Sequence, residues 1–374
     1  MFNKNEWILK NINYRLSNCE PIYDLSAIDL EKIFKKNIKS LMAIRGGKLN
    51  MHPHYKNEGL RCKKFLKYCN SLKFSKDYLI NMCDASGWQY KTIFNDVEKL
   101  PPVFQFSRRV NQREQVVLWP LSDRHTNYTN VSELPVDNIP FNEKKTCVVW
   151  RGRISGTFIN NWSDSSVYPN SIFWMESLVR SDNDNEQYVN RINDVKRYKI
   201  VSQLNNKKMC DVMFTSDNTE HDYICKSKLK TKLFERILGE NMTIDEQRQC
   251  KYILAVDGNC YPSGLYWSLL SNSVVFYVEP EWETVIDCGL KPWVHYIPVK
   301  PTYEDIVEKI EILESDISMA LEIINNAHNY LKPYANNKLR DQLDYLTMCH
   351  FNSNEITQVC NEKQISFSHN TNKT

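Results

Sequence analysis

The sequence has no run of 18 or more apolar residues, so it offers no helix-length span for a bilayer. Its opening, MFNKNEWILKNINYRL, scatters charges where a secretory signal would carry an apolar stretch, so the expected location is cytoplasmic. Without such a signal the N-x-S/T sequons, such as those at Asn127, Asn130, Asn161 and Asn241, read as chance in an Asn-rich chain. Twelve cysteines are dispersed along 374 residues with no C-x-x-C pair. That excludes zinc spacing and a dense disulfide framework, and leaves buried free thiols as the expectation. No G-x-G-x-x-G occurs, which argues against a Rossmann dehydrogenase. Solenoid-period repeats and low-complexity linkers are missing too. Lys and Arg total 48 against 45 Asp and Glu, and a formal charge of +3 is too small to imply nucleic-acid binding. The basic cluster at 226–232 reads as a solvated helix face.

What remains is a globular α/β pattern. Helical spacing of Leu30, Ile33, Phe34, Ile38, Leu41 and Met42 predicts an amphipathic helix over 29–44, and 61–72 reads as a second helix. Strands are expected at 78–83, 103–106 and 116–119, before a loop-like stretch at 122–142 rich in Pro, Asn and Asp. The pattern then restarts with a strand at 146–150, a turn at Arg151-Gly152, a polar insertion to 185 and a helix over 191–204. Strands follow at 251–256 and 273–278, and one long helix over 304–331. Strands alternating with helices on both sides of 122–142 predict two α/β domains facing a cleft. The expected division is a first unit at 1–140, a second at 141–330 and a C-terminal segment at 331–374 with a polar tail.

Three places could carry chemistry. Residues 251–267, KYILAVDGNCYPSGLYW, run from a buried strand through an Asp-Gly turn and a Pro-Ser-Gly turn into an apolar helix. Strand, polar Gly-containing turn and helix N-terminus in that order present backbone N–H groups to an anion. Tyr261, Ser263 and Gly264 belong to this cradle, and Asp257 braces it. Asp84 ends the strand at 78–83, where a carboxylate projects into the crevice of an α/β protein; it serves there as a general base or as a turn cap. Arg151 and Gly152 follow a strand. The glycine permits close backbone approach, and the arginine suits bidentate pairing with a diphosphate or a nearby carboxylate.

The ordered blocks YLINMCDASGW, PPVFQFSR, VVWRGRISG and the long stretch from Cys250 to Val299 resemble glycosyltransferase family 90 from about Tyr78 to Pro298. The resemblance implies a GT-B-like fold of two Rossmann-like domains and an inverting, metal-independent transfer from a UDP-sugar to a glycan or protein acceptor. Glucose and xylose are the first donor sugars to expect. It also implies that Asp84 is the catalytic base, that Arg151, Gly152, Arg153, Arg191, Tyr261, Ser263 and Gly264 contact the donor, and that Trp293 and His295 contact substrate or pack an interface. No cofactor and no metal is implied. The D-x-D at Asp182-Asn183-Asp184 has no strand before it and reads as loop. Two departures stand out. Arg153 replaces a family serine, and Leu265 occupies the position where many members carry an arginine against the leaving diphosphate. The rival reading is therefore a catalytically degenerate relative that binds a glycan or a partner protein.

Overall fold

The computed structural model describes residues 2–17, 19, 31, 41–51, 56–71, 77–82, 102–109, 112–121, 136–156, 174–180, 191–278 and 280–352. In the N-terminal half, α1 (Lys4–Leu16) precedes β1 (Met42–Arg45), β2 (Lys48–Asn50), α2 (Lys56–Ser71), β3 (Tyr78–Ile80), β4 (Val103–Gln105), β5 (Ser107–Arg109) and β6 (Val116–Leu118). These strands, apart from β5, form a sheet of order β2-β1-β3-β4-β6, with β3, β4 and β6 parallel and β1 antiparallel to both neighbours.

The helix expected over 29–44 is wrong at its end, because Met42 to Ile44 belong to β1. Gly46 and Gly47 decide this locally. Their φ values of 53° and 71° are the left-handed backbone of a two-residue hairpin turn, which folds β2 onto β1. Helical spacing of the preceding apolar residues carried no information about that turn.

The second half begins with β7 (Lys145–Arg153) and continues through α3 (Trp174–Arg180), α4 (Lys196–Leu204), β8 (Cys210–Thr215), α5 (Asn218–Lys226) and α6 (Lys228–Phe234). Then come α7 (Ile244–Gln247), β9 (Cys250–Ala255), α8 (Leu265–Leu269), β10 (Val274–Val278), β11 (Trp282–Thr284) and β12 (Ile297–Val299). Here β12-β10-β9-β7-β8 is a wholly parallel sheet. Every residue of β9 and β10 is buried, the near-continuous apolar run of a strand covered on both faces. The sheets are separate and each is packed with helices, so the fold is α/β of the GT-B-like type. The first sheet departs from a pure Rossmann pattern through its antiparallel β1–β2 edge.

Two further corrections concern elements near the site. The strand expected at 146–150 runs on to Arg153, so Arg151 and Gly152 lie within β7 rather than in a turn. The long helix expected at 304–331 is two helices, α9 (Ile306–Ser315) and α10 (Ile317–Ala335). They break at Asp316, whose side chain accepts a hydrogen bond from the Met319 amide and caps the second.

The halves are tied together in several ways. β5 pairs antiparallel with β11 across them, aligning Arg109 with Trp282. The final helix α11 (Asn337–Asn352) returns to the first half, where Met348 and Phe351 join the core around Phe104 and Trp119. Arg15 of α1 meets Asp344 of α11 at 2.5 Å. Leu118 of β6 packs in one cluster with Ala255, Leu265 and Val275. Among the described residues no helix is long and apolar enough to cross a membrane.

Candidate active site

Parallel strands deliver their C-terminal ends to one edge of a sheet, and ligands of open α/β sheets bind outside that edge. The ends of β7 and β9 and the turn between β9 and α8 line a pocket there of about 600 Å³, the size of small-molecule sites. Arg151, Gly152, Arg153, Tyr261, Ser263 and Gly264 all border it, so six of the expected donor-site positions converge.

Three ties fix the shape of this edge. The side-chain oxygen of Asn259 accepts a hydrogen bond from the Gly156 amide at 3.1 Å, joining the β9 turn to the segment after β7. Arg197 of α4 donates to the carbonyls of Asp257 (3.1 Å), Val256 (3.3 Å) and Arg153 (3.4 Å) and to the Ser155 hydroxyl (2.7 Å). Its guanidinium lies 5.3 Å from the Trp150 ring centre, a cation–π distance. Beneath the turn, Asp257 is only 1 % exposed and accepts from Lys196 Nζ at 3.3 Å and from the Glu281 amide at 3.1 Å. Glu281 also pairs with Arg109 of β5 at 3.4 Å, so the brace under the turn reaches the first half of the chain. Burial lowers the pKa of the Arg109 guanidinium to about 10, against the opposing pull of Glu281 and Asp257. Asp257 therefore has the bracing role expected of it.

The expected donor residues divide by geometry. Arg151 is nearly buried: its guanidinium donates to the Asp211 carboxylate (2.7 Å), the Asp211 carbonyl (2.9 Å) and the Glu240 carbonyl (3.2 Å). A side chain so held fastens β7 to β8. Gly152 lacks a Cβ because the indole of Trp150, two residues back on the same strand face, fills the space where one would stand. Arg153 reaches the opening and pairs with Asp217 (2.5 Å) and Glu220 (3.0 Å). Arg191 is exposed ahead of α4 and does not border the pocket. Asp84 lies outside the described residues. The strand leading to it is placed, and Met82, two residues before it, shares a core cluster with Cys260 of the β9 turn.

Leu265, at the position where many family members carry an arginine, is completely buried among Leu118, Ala255, Tyr266 and Val275. Leu265 also borders the pocket, so a guanidinium at this position would have to leave the apolar cluster for the pocket or stand as an unpaired charge in the core. Trp293 and His295 lie before β12, at the end of the sheet opposite the pocket. Trp293 is 45 % exposed on a turn with φ of 61°, with Lys309 Nζ 5.7 Å from its ring centre. His295 accepts from the Lys291 amide at 2.9 Å and its ring centre is 4.8 Å from that of Tyr330. Burial and nearby Lys291 keep its pKa below the usual value. The two residues hold and cap a turn away from the pocket.

Sequence reasoning missed Arg180, Arg197 and Glu220, all of which border the pocket. Arg180 ends α3 and pairs with Glu220 (3.1 Å) and Asp217 (3.4 Å). Asp217 and Glu220 form a capping box at the start of α5, each accepting the other's backbone amide. The D-x-x-E spacing at the start of a helix signals that box, but nothing local signals the arginines gathered on it. The Glu220 amide and Arg153 hold the Asp217 carboxyl below the usual range. Among the described residues no group of three or more His, Cys, Asp or Glu is placed to hold a metal ion.

The family model for glycosyl transferase family 90 matches residues 77–348. The O-glucosyltransferase LpsA of Dichelobacter nodosus is 24% identical over 251 residues, covering 66% of this chain and 61% of that protein. An O-glucosyltransferase rumi homolog of Aedes aegypti is 30% identical over 95 residues, covering 25% of this chain and 24% of that protein. The chain thus spans about three fifths of the one and a quarter of the other. A solved glycosyltransferase from Rickettsia africae superposes with a TM-score of 0.37 at 11% identity, covering 81% of this chain and 85% of that one. With the family model spanning most of its length, this chain is a member of glycosyl transferase family 90.

Proposed function

We propose that the chain transfers a sugar, with inversion and without a metal, from a UDP-sugar to a hydroxyl of a glycan or protein acceptor. UDP-glucose is the first donor to test and UDP-xylose the second; the names of the similar O-glucosyltransferases favour glucose. The observation that carries the reading is the pocket at the ends of β7 and β9, which the Tyr261–Gly264 turn, Arg153 and Arg180 all line. In this reading the turn and the two arginines hold the diphosphate. Charge grows there as the glycosidic bond breaks, and fixed donors aimed at it lower the barrier. Since α8 has only five residues, its dipole is short, and the arginines supply most of the field.

Asp84 takes the proton from the acceptor hydroxyl as its oxygen attacks the anomeric carbon from the face opposite the leaving diphosphate. The buried Leu265 favours the rival reading of a degenerate, glycan-binding relative, and the arginine pair answers it by placing other cations at the pocket. Asp84→Asn separates the two. Transfer should fall by on the order of 100-fold while UDP-sugar affinity and melting temperature hold. Near-normal transfer by the Asn variant removes Asp84 from the mechanism. Loss of turnover in EDTA, restored by Mn²⁺ or Mg²⁺, refutes metal independence.

A further inference from the structure

Four arginines border the pocket, and they are not equivalent. Arg151 is fastened to Asp211 and Arg197 to the ends of β7 and β9. Arg153 and Arg180, with side chains 47% and 52% exposed, are pinned instead to two carboxylates of contrasting burial. Glu220 is 3% exposed and uses both oxygens: Oε1 accepts from Arg180, Oε2 from Arg153 and from the Asp217 amide. Asp217 is 40% exposed. Its Oδ1 caps α5, while Oδ2 alone accepts from Nη2 of both arginines.

We propose that this cluster is an anion latch, in which Glu220 positions the two arginines and Asp217 is a built-in competitor that an incoming diphosphate displaces. The inference rests on reading the pocket as a nucleoside-diphosphate-sugar site, and it adds to that reading how the site regulates its own charge. Two guanidinium groups against two carboxylates sum to zero, so the closed latch presents no net charge to a dianion. Opening it needs only the exposed ion pairs at Asp217 Oδ2 to break, and pairs of that kind are weak in water. The buried Glu220 stays, and the arginines remain aimed at the pocket. All four ion pairs run through Nη2, the nitrogen that both bidentate edges of a guanidinium fork share, so a phosphate pairing at two points competes for it with the exposed Asp217. An empty site is thereby kept from holding stray anions strongly, at the cost of some affinity for the donor.

Two conservative variants make opposite predictions. Asp217→Asn keeps the cap on α5, because Asn is as good an N-cap as Asp, but withdraws the competing charge. Glu220→Gln keeps the capping box and loses the charge that orients both arginines. Inorganic diphosphate titrated into each protein by calorimetry should bind Asp217→Asn about two- to fivefold more tightly than wild type, the scale of an exposed ion pair. It should bind Glu220→Gln roughly tenfold more weakly, since the hydrogen bonds that Glu220 accepts are buried and charge-assisted. Merely structural roles would weaken both variants together. Unchanged or weaker binding by Asp217→Asn, wild-type affinity in Glu220→Gln, or no diphosphate binding by any of the three overturns the latch. A wild type that binds diphosphate with these shifts but neither UDP-glucose nor UDP-xylose refutes the proposed function and leaves the latch standing.

Discussion

Lys196 and Asp257 form the buried ion pair under the turn between β9 and α8, and their surroundings make their removal unequal. Both side chains are at most 5% exposed and lie 3.3 Å apart. At an effective dielectric of about 20, attraction over that distance is worth roughly 5 kcal/mol, while taking each ion out of water costs several. The intact pair is therefore close to neutral for stability, and the energy appears when one partner is removed. Lys196→Met leaves a carboxylate whose Oδ2 retains the Glu281 amide and whose Oδ1 has no hydrogen-bond partner. Leaving a buried charge so poorly compensated costs about 3–5 kcal/mol. Asp257→Asn leaves Lys196 with the Glu281 carboxylate 3.8 Å away and the amide bond formally possible, so it should cost only about 1–3 kcal/mol. The double variant should be less destabilised than the sum, by a coupling of about 1–3 kcal/mol. Urea denaturation followed by tryptophan fluorescence measures all three against wild type. A Lys196→Met loss below about 1 kcal/mol, or an Asp257→Asn loss exceeding that of Lys196→Met, would refute the argument.

Gly152→Ala should destabilise by about 1–3 kcal/mol, the scale of overpacking, by pushing the Trp150 indole off its strand face and loosening Arg197. An unchanged urea midpoint would contradict this. Leu265→Arg, which restores the family residue, should cost several kcal/mol and not raise turnover, because the position is buried and apolar; a stable, more active variant would count against it. The pKa of Asp287 is raised to about 7 by burial, although the Thr284 amide and hydroxyl donate to it. Its folded pKa lies above the unfolded one, so the folded state keeps a proton that the unfolded chain releases. The stability this supplies is complete below about pH 4 and is lost as pH rises towards 7. Asp287→Asn should flatten that slope and be more stable than wild type at pH 8 by up to a few kcal/mol. Parallel stability–pH curves for the two proteins would show the assignment to be wrong.

The sequence by itself determined the parts that depend on residues close together in the chain. Buried runs such as Tyr252 to Ala255 and Val274 to Val278 can satisfy their burial only as covered strands, so the heart of the second sheet was legible. The Asp-Gly and Pro-Ser-Gly turns after β9 announced the turn that lines the pocket in the same local way. Boundaries were less legible where a single residue decides them: Gly46-Gly47 turns an expected helix end into a hairpin, and the Asp316 cap splits one expected helix in two.

Only the tertiary structure decided which side chains share the pocket. Arg151 and Arg153 look interchangeable in VVWRGR. Different neighbours on β8 and α5 send one to Asp211 and the other to Asp217 and Glu220. Arg180, Arg197 and Glu220 come from three helices separated by tens of residues, and no spacing rule reaches across such distances. Gly152 reads as room for a ligand until the fold shows Trp150 filling it. Strand and helix formation follow from periodicity, which is local. The composition of a charge cluster follows from how strands and helices pack, and that is settled only when the whole chain has folded.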